Sequence, residues 1–207
     1  MLKKILTDWS LLVLVIFNLY LLDYYQKHPT EIGSLIFLYW AQSVLIGVVN
    51  FFDILTVPHI EPGSMTMNDK PVEDNPKSKG CVAFFFLVHY GVFHLVYLVF
   101  ILVKIPANFN YIFMLTGIAI LAANLIIDFI RRKMQQKNKA VNIGTMFFLP
   151  YARIIPMHFM ILLPEFIKVS NLTVFIVLKI VMDLLMHFIT SGHYRRGDGS
   201  ASLSSEL

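Results

Sequence analysis

Charge and cysteine are what this 207-residue chain has least of. Only 14% of its residues are Asp, Glu, Lys or Arg while 57% are hydrophobic, a balance outside the range of soluble domains. The single cysteine, Cys81, excludes an intrachain disulfide and any cysteine-cluster metal site. The chain has no Gly-rich phosphate loop, no GxxxG dimer motif and no internal repeat. A GxSG nucleophile motif is also missing, which argues against a rhomboid-type protease. Lys3 and Lys4 precede an apolar stretch, but that stretch runs through Leu22 into Asp23-Tyr24-Tyr25-Gln26 without a small-residue cleavage site. It reads as a retained first helix rather than a secretory signal.

The apolar residues come in blocks. Runs at about 5–22, 33–54, 82–103, 108–130, 147–167 and 171–190 each approach the roughly 20 residues needed to cross a hydrocarbon core of about 30 Å. The expected fold is therefore an all-α, polytopic transmembrane bundle of six helices over residues 1–190. The net charge of +4 is read by side rather than as a nucleic-acid signal. Twelve basic residues fall in the N-terminus, the second and fourth connections and the tail (Lys3, Lys4, Lys70, Lys77, Lys79, Arg131, Arg132, Lys133, Lys137, Lys139, Arg195, Arg196). Three fall in the alternate connections (Lys27, Lys104, Lys168). The positive-inside rule then places both termini in the cytoplasm, with membrane lipids as partners and no nucleic acid. The Arg131 to Lys139 cluster is suited to anionic headgroups.

The connection at 55–80 carries Pro58, Pro62, Gly63, Pro71, Pro76 and Gly80 and is expected to be an irregular, mobile cytoplasmic loop. Residues 191–207, with Gly197, Gly199 and five serines, have the composition of a disordered tail. The short connection around Pro106 predicts that the third and fourth spans are antiparallel neighbours. Ser43, Gly47 and Asn50 form one small or polar face of the second span, a pattern that permits close helix packing. Trp9, Tyr20, Tyr24, Tyr25, Phe109 and Tyr111 read as interfacial aromatics.

Ionisable residues inside spans are functional-site candidates by default, because their desolvation must be compensated. Lys179, Asp183 and His187 recur every four residues and share one helical stripe; His89, His94 and His158 lie in other spans. The interval of five between His89 and His94 turns the two rings about 140° apart, so either His94 serves another contact or a π-bulge near Gly91 brings them together. Counted from the cytoplasmic ends, His89, His158, Asp183, His187 and Asn50 converge in the inner half, with Gln42, His94 and Lys179 nearer mid-membrane. Imidazoles with a carboxylate suit Zn, and also copper, iron or nickel. The expected function is a metal-binding membrane protein, a candidate metal-dependent hydrolase of a lipid or other membrane-embedded substrate. Its metal ligands are His89, His94, His158, Asp183 and His187, with Lys179, Tyr90 and Arg153 as candidate catalytic groups. A proton-coupled transporter using the same residues as a relay, and b-type haem ligation by a histidine pair, are the alternatives.

The stretches Tyr39-Trp40-Ala41-Gln42 to Gly47 and Asn50, His89-Tyr90-Gly91 to His94, Arg153 to His158, and Lys179 to Asp183 to His187 cover most of residues 33–190. Their order resembles a family of bacterial multi-pass membrane proteins of unknown function. The resemblance implies a location in the bacterial inner membrane and an acidic residue where this chain has Gln42, and it supplies no activity.

Overall fold

The computed structural model describes residues 9–104, 108–135 and 139–155, together with Ile180, Val181 and Leu184. Five helices occur among them: α1 (Trp9–Lys27), α2 (Ile32–Leu55), α3 (Pro76–Lys104), α4 (Tyr111–Gln135) and the short α5 (Ile143–Phe148), which passes into a 3-10 turn (Leu149–Arg153). Three of them, α2, α3 and α4, are long and apolar enough to cross a membrane, which is compatible with an integral membrane protein. α1 contributes a shorter apolar stretch, Val15–Tyr24. Ile180, Val181 and Leu184 are helical; the rest of the expected sixth span and the tail lie outside the described residues.

The helix ends follow local chemistry. Pro76 opens α3, where its missing N–H costs nothing, and the Asn75 side chain caps the helix by accepting from Ser78 N at 2.7 Å. Asn110 does the same for α4 through Phe113 N, and Asn142 for α5 through Thr145 N. The asparagine ahead of α5 starts that helix four residues before the apolar run at 147. Pro150, with no N–H to donate, then sits in the tighter 3-10 turn.

Along α3 the buried positions are Val82, Ala83, Phe86, Tyr90, His94, Tyr97 and Ile101, one stripe at helical spacing. The remaining faces are also apolar yet exposed, including Phe84, Val88, Leu95, Val99 and Leu102. A water-facing helix would carry charge there, whereas a lipid-facing one requires what is found. α4 repeats the pattern with Ile112, Leu115 and Ile130 outward.

α2 is the central helix. It packs against α3 on one side and α4 on the other, while α3 and α4, despite their short connection, make little contact with each other. The expected pairing of the third and fourth spans is thus corrected, because α2 offers both of them close seats. Gly117 of α4 lies against Leu38, where a Cβ would come 2.7 Å from the leucine Cδ2. On the opposite face Gly47 admits the ring of Tyr90. Ser34 Oγ accepts from Asn110 N at one end of the α2–α4 pair and Asp53 meets Arg132 and Lys133 at the other, so these two helices run parallel.

Residues 56–75 are folded rather than irregular, a second correction. β1 (His59–Ile60) pairs in parallel with β4 (Ala140–Val141), and β2 (Thr66–Met67) pairs with β3 (Lys70–Pro71) in a hairpin. Asn68 and Asp69 between the hairpin strands both have positive φ, the geometry of a type I′ turn. Val57, Ile60 and Val72 are buried, and Glu61 N donates to the Val141 carbonyl. Of the prolines and glycines that suggested mobility, Pro58, Pro62 and Gly63 lie in turns or bends of a compact cap, Pro71 lies in β3, and Pro76 and Gly80 belong to α3. Asp74 holds it to the base of α3, with Lys79 Nζ 2.7 Å away and His59 Nδ1 3.0 Å away.

Those hydrogen bonds, Lys79 first and then His59, hold the Asp74 carboxyl down at about 2. A depressed carboxylate stabilises the fold fully above its unfolded value of about 3.9 and ceases to do so as pH falls through the folded value. Carboxyl-carbon NMR of the protein should therefore show Asp74 titrating near pH 2, and Lys79→Met should return the midpoint toward the ordinary carboxylate range.

A buried hydrogen-bond network between α2 and α3

Three side chains meet where α2 crosses α3. Ser43 and His94 are 1% and 4% exposed, and Tyr90 is also buried. His94 Nδ1 lies 2.9 Å from the Tyr90 carbonyl oxygen, which can only accept, so in the neutral ring this nitrogen carries the proton. His94 Nε2 lies 2.9 Å from Ser43 Oγ. Tyr90 Oη is 2.8 Å from Ser43 Oγ and 3.1 Å from the Ser43 carbonyl oxygen, so its single proton can go to either. One turn toward the N-terminus of α2, Trp40 Nε1 donates to the His94 carbonyl at 2.8 Å.

The face Ser43–Gly47–Asn50 explains the convergence. Gly47 leaves room for the Tyr90 ring, Ser43 sits one turn away to receive its hydroxyl, and Asn50 Nδ2 donates to the Met146 carbonyl of α5 at 3.0 Å. Tyr90 stacks on His94, with ring centroids 4.2 Å apart. Gln42 projects from the other face of α2, shared with Leu38 and Leu45. It is buried there, and its Oε1 has no hydrogen-bond partner among the described residues.

His89 has separate company. Its Nδ1 is 2.8 Å from Tyr151 Oη of the 3-10 turn, its ring stacks on Phe85 at 5.6 Å, and Phe93 meets it edge-on. It is exposed, and α3 is regular α-helix through Gly91. Of the two arrangements open for the pair, the structure adopts the one in which His94 serves another contact. Among the described residues no group of three or more His, Cys, Asp or Glu is placed to hold a metal ion. His158, Asp183, His187 and Lys179 lie outside the described residues, as does the side chain of Arg153.

Two features went unread in the sequence. In the sequence Ser43 reads only as part of a small or polar packing face. Asp53, inside the apolar run 33–54, meets the criterion that singled out Asp183: it is buried, with Arg132 Nη2 2.9 Å from Oδ2 and Lys133 Nζ 3.0 Å from Oδ1. Lys133 also donates to the Asp53 carbonyl. Two members of the basic cluster at the end of α4 are thus committed to a carboxylate within the protein rather than to headgroups.

The model of the family of unknown function DUF6498 matches residues 1–199. The chain belongs to that family. No curated protein and no solved structure matches it.

The seat at Gly47 is the most demanding element of the network. A Cβ there would lie well inside contact distance of the Tyr90 ring, whereas a Cβ at Gly91, on the same turn of α3 as Tyr90, meets nothing within 4 Å. Gly47→Ala should destabilise the protein by about 1–3 kcal/mol through overpacking, and Gly91→Ala should not. Thermal unfolding of the two variants in the same detergent checks the contrast.

Proposed function

We propose that this chain is an integral membrane protein that passes protons through a relay centred on His94, the core of a proton-coupled carrier. In this reading it has six spans and sits in a bacterial inner membrane with both termini cytoplasmic. The observation that carries the proposal is that the network satisfies either charge state of the imidazole without moving a helix. With a neutral ring, Tyr90 Oη donates to Ser43 Oγ, whose own proton points at His94 Nε2. When Nε2 takes up a proton it donates to Ser43 Oγ, the serine hydroxyl turns to Tyr90 Oη, and the tyrosine hydroxyl turns to the Ser43 carbonyl. Nδ1 keeps its bond to the Tyr90 carbonyl throughout. A buried group that must change charge needs partners in both states, since an unmet one costs about 1–3 kcal/mol.

The metal reading rests on a different observation. Tyr151 engages Nδ1 of His89, which orients the ring and directs Nε2 away from that bond, the arrangement in which an imidazole ligates a metal. His158, Asp183 and His187 would complete a Zn site serving a lipid or other membrane-embedded substrate, with Lys179, Tyr90 and Arg153 available for catalysis; a haem iron would instead take a pair of the histidines.

One set of measurements separates the two. In pyranine-loaded liposomes of phosphatidylethanolamine and phosphatidylglycerol, a potassium diffusion potential should drive proton entry above the protein-free rate. His94→Gln and Ser43→Ala should return it to background while His89→Ala does not. Proton entry no faster than in protein-free liposomes overturns the relay. Stoichiometric zinc in the purified protein, lost on His89→Ala and Asp183→Ala, would establish the metal centre instead.

A further inference from the structure

Among the described residues Ser43 and His94 are almost fully enclosed, and their hydrogen-bond partners belong to the network itself. A relay so enclosed needs one neighbour able to withdraw. α2 and α3 are helices of 24 and 29 residues packed along their length, whereas α5 has six residues followed by a single 3-10 turn.

We propose that α5 and its 3-10 turn are the gate between the relay and the cap side of the bundle. This rests on the relay reading and names how the same site is regulated. The segment fills the α2–α3 groove next to the network: Ile143, Met146 and Phe147 are buried, Phe147 meets Phe86 edge-on at 5.7 Å, and Tyr151 meets Tyr90 edge-on at 5.5 Å. Among the described residues, Asn50 of α2 donates to the Met146 carbonyl and His89 of α3 is hydrogen-bonded to the Tyr151 hydroxyl of the turn. Asn50 is on the stripe that leads through Gly47 to Ser43, about 10 Å at the helical rise, with the Tyr90 ring seated on Gly47; withdrawing α5 and its turn removes the Tyr151 ring from the edge of Tyr90 and leaves that ring as the last cover over Ser43. The anchor for that motion is the cap, where β4 pairs with β1 and Gly144 lies directly against the Ser64 carbonyl.

The experiment is cysteine accessibility in proteoliposomes, in a Cys81→Ser background carrying Ser43→Cys, with a cationic methanethiosulfonate as reagent. The background should react slowly. Asn50→Leu, which removes the hydrogen bond, and Gly144→Ala, which forces α5 away from Ser64, should each raise the rate about tenfold or more, the change that about 1.4 kcal/mol of gate stability produces. Trp40→Phe, which releases the contact on the other side of His94, should leave it unchanged. Acceleration by Trp40→Phe but by neither of the other two, or equal rates in all four proteins, overturns the gate. Labelling does not depend on proton flow, so gated labelling without flux removes the relay and leaves the gate, and flux with ungated labelling does the reverse.

Discussion

A helix buried on two opposite sides has to satisfy two neighbours at once, and α2 carries that constraint for this protein. In lipid there is little hydrophobic gain in bringing apolar helices together, so association depends on close packing and on interhelical hydrogen bonds worth roughly 0.6–2 kcal/mol each. α2 supplies both on each side. Toward α3 it presents Gly47 and the hydroxyl of Ser43; toward α4 it presents Leu38, seated on Gly117, and the carboxylate of Asp53. The order α3–α2–α4 follows, although the chain connects α3 directly to α4.

The same constraint places the polar groups. If these helices cross a membrane, as their length and composition allow, a hydroxyl or imidazole on α2 or α3 can have its hydrogen bond returned only from the protein side. Ser43, Tyr90 and His94 close on one another because each is the nearest group able to answer the others. Asp53 behaves similarly at the end of the bundle, where a carboxylate beside the negative end of the α2 helix dipole is offset by two cations from α4. The cap continues that tie: the chain leaving α2 and the chain entering α5 meet in the β1–β4 pair, so the ends of both long helices are joined beyond the last helical turn.

In the proposed relay, alternation between enclosure and access falls to the smallest element. The long helices are locked by glycine seats and by an ion triad, and α5 with its turn is held by the Asn50 and His89 hydrogen bonds and by aromatic edges. Differences of a few kcal/mol among such contacts decide which segment moves first.

The apolar blocks alone determined that the chain is helical and membrane-compatible and where its long helices run: α2 spans Ile32–Leu55 against an expectation of 33–54, because length and hydropathy are properties of the segment itself. The packing face Ser43–Gly47–Asn50 was legible for the same reason, being a periodicity within one helix. Partners were not legible. His89 and His94 look alike in sequence, and only the tertiary structure assigns one to Tyr151 and the other to Ser43. Residues 56–75 read as a loop because two-residue strands have no periodicity of their own and exist only through β4 and the hairpin turn. Asp53 was within reach of the rule for intramembrane carboxylates, yet its two cations lie about 80 positions away, a distance that only folding closes.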